Sequence, residues 1–146
     1  MAKQQLGVQN LEPGYSGTPL IKKLGIREGY NIGIIGEPTN YKSLLIDLPK
    51  NIHWHKNFNG ANLDMVHLFV INREVFSDLL PKAKEAIKKS GIIWISWPKK
   101  VSGLPTDLNE NIIRNIALEM GLVDVKVCAI DNVWSGLKLV YRLKDR

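Results

Sequence analysis

The hydrophobic pattern is clearest in the second half of the chain, where two rhythms alternate. Met65–Ile71 is an apolar run broken only by His67, as in a strand covered on both faces. Val75, Phe76, Leu79, Leu80, Ala83, Ala86 and Ile87 then recur at helical spacing as far as Lys89. Pro81 interrupts that face, and a ring without an N–H kinks a helix or starts a second one. Gly91 reads as the helix cap and Ile92–Trp97 as the next buried strand. Thr106 or Asp107 reads as the N-cap of another helix, with Leu108, Ile112, Ile113, Ile116, Ala117 and Met120 on its buried face and Gly121 as its stop. Leu122–Ile130 and Leu137–Leu143 are two further strands, joined by Asp131–Gly136.

The first half is patterned more weakly. Residues 1–14 are polar and carry the turn signal Pro13-Gly14, which predicts a loosely held arm ahead of a domain spanning residues 15–146. Thr18-Pro19 predicts a helix start, with Thr18 as N-cap and Pro19 at the first helical position. Leu20, Ile21 and Leu24 form its apolar face and Gly25 its stop. Tyr30–Ile35 reads as a strand ending at Gly36, Tyr41–Leu48 as a brief helix with Leu44, Leu45 and Leu48 inward, and Asn51–Lys56 as a short strand. Strands alternating with helices predict one α/β domain, a mostly parallel sheet with helices on both faces. The Asp131–Gly136 connection is too short for a crossover, so the last strand, and only that one, should run antiparallel.

Composition narrows the classes. A chain of 146 residues, 45% hydrophobic and 23% charged, buries roughly two thirds of its unfolded surface and needs no metal or disulfide to hold a core. Its longest apolar runs, Leu68–Ile71 and Ile92–Ile95, fall far short of the roughly 20 residues that span a membrane. Met1-Ala2-Lys3-Gln4-Gln5 opens no secretory signal, so a cytoplasmic location is expected. Cys128 is the single cysteine, which excludes an intramolecular disulfide and a cysteine-rich metal site. A net charge of +6 raises nucleic acid as a partner. The basic residues cluster no further than the separated doublets Lys22-Lys23, Lys88-Lys89 and Lys99-Lys100, interleaved with acids, and the usual nucleic-acid motifs are missing, which argues against that partner.

The order of elements over residues 64–143 resembles the class I methyltransferase layout, a Rossmann-like fold. Asp64–Ile71, Ser90-Gly91 and Gly121-Leu122 sit where that layout places them. More closely, the chain resembles a family of small bacterial proteins catalogued as domain of unknown function number three thousand and fifty-two. The motifs that carry this are Tyr15-Ser16-Gly17-Thr18-Pro19-Leu20, Lys23-Leu24-Gly25-Ile26, Asp64–Val70, Ser96-Trp97-Pro98-Lys99-Lys100, and Gly121–Ala129 with Asp131 and Trp134-Ser135-Gly136-Leu137-Lys138. The resemblance implies the fold and leaves the activity open. Methyltransferases follow their first strand with an acidic residue and a Gly-x-Gly turn, because only bare backbone approaches the cofactor closely. Here that place reads Gly33-Ile34-Ile35-Gly36-Glu37-Pro38, so S-adenosylmethionine in its usual mode is not expected and no cofactor is predicted.

Parallel α/β sheets bind ligands at the carboxyl ends of their strands. Gly36–Asn40, Asn72-Arg73, Pro98–Asp107, Asp131–Gly136 and the helix start at Tyr15–Thr18 all map to that edge. The candidate ligand-binding groups are the hydroxyls of Tyr15, Ser16 and Thr18, the carboxylate of Glu37, Lys99, Lys100 and Ser102 ahead of a helix, and Asp131, Trp134 and Ser135 in the hairpin. Trp97 and Trp134 are expected to flank the same rim. His53, His55 and His67 lack an Asp or Glu at ligand spacing and read as surface and core histidines, not a metal site. Ser16 and Ser135 lack the Gly-x-Ser-x-Gly elbow of a nucleophile, so no catalytic residue is predicted. The expected function is a non-catalytic methyltransferase-like module that binds an anionic small molecule or a partner protein at this rim. The alternative is a methyltransferase or other nucleotide-dependent enzyme with a degenerate cofactor loop.

Overall fold

The computed structural model describes residues 17–58 and 62–146; the polar arm expected over 1–14, with Tyr15 and Ser16, lies outside the described residues. Six strands form one sheet in the order β2-β1-β3-β4-β6-β5, from β1 (Asn31–Ile35), β2 (His53–His55), β3 (Leu63–Phe69), β4 (Ile87–Pro98), β5 (Leu122–Ala129) and β6 (Trp134–Tyr141). The β2–β1, β1–β3 and β3–β4 pairs are parallel, whereas β6 pairs antiparallel with both β4 and β5. β6 is therefore the one reversed strand, inserted between β4 and β5. Helices α2 (Arg73–Ala86) and α3 (Glu110–Glu119) cover one face, packing Phe76, Leu80, Ile113 and Ala117 on Val66, Leu68, Ile93 and Ile95. Helix α1 (Leu20–Leu24) covers the other face with Tyr41 and Leu45, over Ile32, Ile34, Met65 and Trp94. The Trp94 indole N–H donates to the Leu24 carbonyl at 2.9 Å, which pins α1 to β4. No helix among the described residues is long and apolar enough to cross a membrane.

Several boundaries differ from expectation, each for a local reason. The N-cap of α1 is Pro19, not Thr18, and the Pro19 carbonyl receives the Lys22 and Lys23 N–H groups at 3.0 and 3.1 Å. The brief helix after β1 is a 3-10 turn over Lys42–Leu44. Tyr41 and Leu45 are buried there, while Leu48 is exposed, because Asp47 and Asn51 turn the chain at positive φ. Helix α2 runs through Pro81 without a break and ends at Ala86. Ile87 pairs with Leu63 in the ladder, so the chain is already extended there, and Gly91 lies inside β4 rather than capping the helix. Helix α3 is capped by Asn109, whose Oδ1 accepts from the Ile112 N–H at 2.9 Å. The expected caps do other work: Thr106 donates to the Ile71 carbonyl at 2.6 Å, and Asp107 accepts from the Arg73 N–H at 2.7 Å, so it caps α2 instead. β6 starts at Trp134, which puts Trp134, Ser135 and Gly136 in the strand rather than in the connection.

Gly36 leaves β1 at φ +78° against the carbonyl of Phe69, where an added Cβ would overlap the Phe69 oxygen. Both the left-handed backbone and the backbone contact demand glycine. Gly36→Ala is expected to cost about 2 kcal/mol or more, read as a lowered urea midpoint with unchanged m-value.

Candidate functional site

The floor of the carboxyl edge is a buried polar chain inside an aromatic cluster. His67, on β3, is fully buried. Its Nδ1 lies 3.0 Å from the Tyr41 hydroxyl and its Nε2 2.7 Å from Ser96 Oγ on β4. Burial pushes the imidazole pKa down to about 3, so the ring is neutral at pH 7 and donates through one nitrogen while accepting through the other. Burial first, and then the Glu37 charge, raise the Tyr41 phenol above its ordinary range. The His67 ring stacks on Phe69 at 4.3 Å, and Phe69 meets Tyr41 and Trp134 edge-on at 5.4 and 5.1 Å. A serine on an imidazole that is held by a third group is the arrangement of an activated nucleophile. Ser96 is fully buried, however, and the hydrogen-bonded chain serves as scaffold for the rim above.

Two segments of that rim meet as expected. Pro98 and Trp97 pair with Trp134 and Ser135, and the Lys99 backbone N–H donates to the Val133 carbonyl at 2.7 Å. Ser102 Oγ donates to the Lys99 carbonyl at 2.7 Å and accepts from the Leu104 N–H at 3.2 Å, which shapes the loop and leaves Lys100 exposed. Asp131 Oδ1 accepts from the Val133 and Trp134 N–H groups, both at 2.8 Å, so this carboxylate first of all caps the hairpin turn. Glu37 is half-buried beside Tyr41. Thr106 and Asp107 tie the loop to the start of α2, and this edge exposes Ile71, Val75, Val101 and Leu104.

Other candidates lie elsewhere. Thr18 lines a separate groove with Lys22, Lys23 and residues 126–129. Trp97 and Trp134 do not share a face: Trp97 packs in the core under α2 and α3, while Trp134 packs in the cluster under α1, because β-strand positions alternate between faces. Tyr15 and Ser16 lie outside the described residues. Sequence reasoning did not single out Tyr41, Phe69 and Ser96. The available signal was His67 within an apolar strand, since a buried imidazole requires two polar partners. Among the described residues no three His, Cys, Asp or Glu converge to hold a metal.

Tyr41→Phe keeps the ring contacts and leaves His67 Nδ1 without its partner, so urea unfolding is expected to show a loss of about 1–3 kcal/mol. His67 also predicts an acid limb. Between its ordinary value of 6.5 and its folded value of about 3, the unfolded chain binds a proton that the folded chain refuses. That stability is fully present above pH 6.5 and is lost as pH falls toward 3. His67→Gln is expected to flatten the pH dependence of the unfolding free energy in that window.

No family model matches the chain, and no curated protein matches it. Solved structures do. DhpI in its SAH complex is 8% identical with a TM-score of 0.59, over 86% of this chain and 83% of that one. The precorrin-6y C5,15-methyltransferase from Geobacter metallireducens GS-15 is 10% identical with a TM-score of 0.52, over 84% and 85%. The O-methyltransferase NcsB1 of neocarzinostatin biosynthesis, in complex with S-adenosylmethionine, is 12% identical with a TM-score of 0.60, over 78% of this chain and 49% of that one. At these identities the likeness is one of fold: the chain has a class I methyltransferase-like Rossmann α/β architecture with a six-stranded, mostly parallel sheet.

Proposed function

We propose that the protein is a transferase of the methyltransferase type, or an allied nucleotide-dependent enzyme, with a rebuilt cofactor turn and its ligand on the carboxyl rim. The observation that carries this reading is the strand order with β6 alone reversed, which gathers the turn after β1, the loop after β4 and the β5–β6 hairpin on one edge. Solved neighbours of that fold include methyltransferases, and NcsB1 holds S-adenosylmethionine. A cytoplasmic location and membership of the small bacterial family that the motifs resemble belong to the same proposal.

The residues present do not fit that cofactor in its usual mode. Gly36 is followed by Glu37-Pro38 instead of a second glycine, and its α-carbon abuts the Phe69 carbonyl. β2 ends at His55 and continues into Lys56, a cation where an acidic residue would hold ribose hydroxyls. No methyl-transfer step follows from these residues. The same turn favours a second reading, a non-catalytic module whose rim takes an anionic small molecule or a partner protein through Lys99, Lys100 and the exposed Val101 and Leu104.

Calorimetric titration with S-adenosylmethionine separates the two. The transferase reading expects a saturable, micromolar isotherm that Trp134→Ala weakens. Absence of heat up to millimolar ligand overturns it and hands the rim to the second reading. In that case the double variant Lys99→Ala/Lys100→Ala is expected to keep its melting temperature and to lose capture of the anionic ligand or partner.

A further inference from the structure

Away from the rim, α1 and β5 enclose a groove of about 330 Å³ lined by Thr18, Lys22, Lys23, Lys126, Val127, Cys128 and Ala129. Its cations come from separate elements, Lys22 and Lys23 from α1 and Lys126 from β5. The Lys23 ammonium points to the Ala129 carbonyl at 3.5 Å, and the Lys126 ammonium lies 6.0 Å above the Trp94 ring. Lys138 on β6 stands opposite Lys126 in the register, and none of the described residues that line the groove is a carboxylate. We propose that this groove is a second ligand site, built for a phosphate-bearing small molecule.

Three observations support that chemistry. Like charges brought together repel, and the repulsion shows in the neighbours: burial first, and then the Lys126 charge, hold the Lys138 ammonium below the ordinary lysine range. Burial raises the Cys128 thiol while Lys23 and Lys126 pull it the other way. An anion seated among these groups relieves the repulsion and loses little to solvent where it is partly enclosed. Second, every cation among the described residues of the lining is a lysine. An ammonium is a point charge with three rotatable donors, and several together suit the multiple charge and the several oxygens of a phosphate. Third, the volume falls at the small end of the range for small-molecule pockets, about 300–1,000 Å³. It has room for more than a lone ion.

Cys128, the single cysteine, lies in the groove wall and reports on occupancy. The experiment follows its alkylation by iodoacetamide during titration with pyrophosphate, with sodium chloride at matched ionic strength as control. Pyrophosphate is expected to slow alkylation saturably, since it both covers the thiol and disfavours the thiolate, and the chloride control is expected to leave the rate unchanged. Lys22→Gln and Lys126→Gln, checked for an unchanged melting temperature, are expected to weaken the effect roughly tenfold each. Lys99→Gln/Lys100→Gln on the rim is expected to leave it intact, which keeps this site distinct from the one above. No slowing at ten-millimolar-order pyrophosphate, or equal slowing in the Lys22 and Lys126 variants, overturns the proposal.

Discussion

The neutral imidazole of His67, bonded at both ring nitrogens, is the constraint from which the carboxyl edge is built. It joins β3 to β4 through Ser96 and to the segment after β1 through Tyr41. A buried ring that lost either partner would keep the cost of desolvation without the bond that offsets it. That demand holds Tyr41 down over the sheet, where its ring meets Phe69, and Phe69 in turn meets Trp134 at the start of β6. Elements far apart in sequence thus share one buried floor, and the surface loops above it are placed by that floor together with the bonds that tie them to one another.

The reversed strand β6 decides which loops those are. Because β6 lies between β4 and β5, its first residues stand opposite the end of β4, and the post-β4 loop is tied to the hairpin through Lys99 and Val133. Gly136 is the close point of this insertion: an added Cβ would come within 3.0 Å of Ile130 and 3.2 Å of Trp94. The same arrangement leaves β5 at the sheet edge, with α1 alongside, and so creates the basic groove. The rim and the groove are two consequences of one topological choice.

The polar residues named from sequence divide accordingly. Asp131, Ser102, Asp107 and Thr106 all satisfy turn or helix-end backbone groups, which is what short polar side chains do near chain reversals. Lys100 stays in solvent at the rim, and Thr18 belongs to the groove on the other side of the hairpin. A motif read one residue at a time overstates the number of groups left over for a ligand.

By itself the sequence determined the strands Met65–Ile71, Ile92–Trp97 and Leu122–Ile130 to within a few residues, the helices between them, and the reversal of the last strand. Hydrophobic period and connection length are local quantities, so they survive without tertiary information. It also determined that the polar segments after β1, β4 and β5 fall on the carboxyl edge, because that follows from chain direction alone, whereas Thr18, assigned to the same edge, lines the groove instead. Only the tertiary structure decided where α2 stops, since Ile87 fits a helical face and a ladder equally well and the Leu63 partner settles it. It decided that Asp107 caps α2 rather than the helix it precedes in sequence. It decided that Trp97 and Trp134 point to opposite faces, through a register the chain does not state. Above all it paired His67 with Tyr41 and Ser96 and Lys126 with the lysines of α1, because contacts between residues distant in sequence are set by how the sheet closes, and no local pattern encodes them.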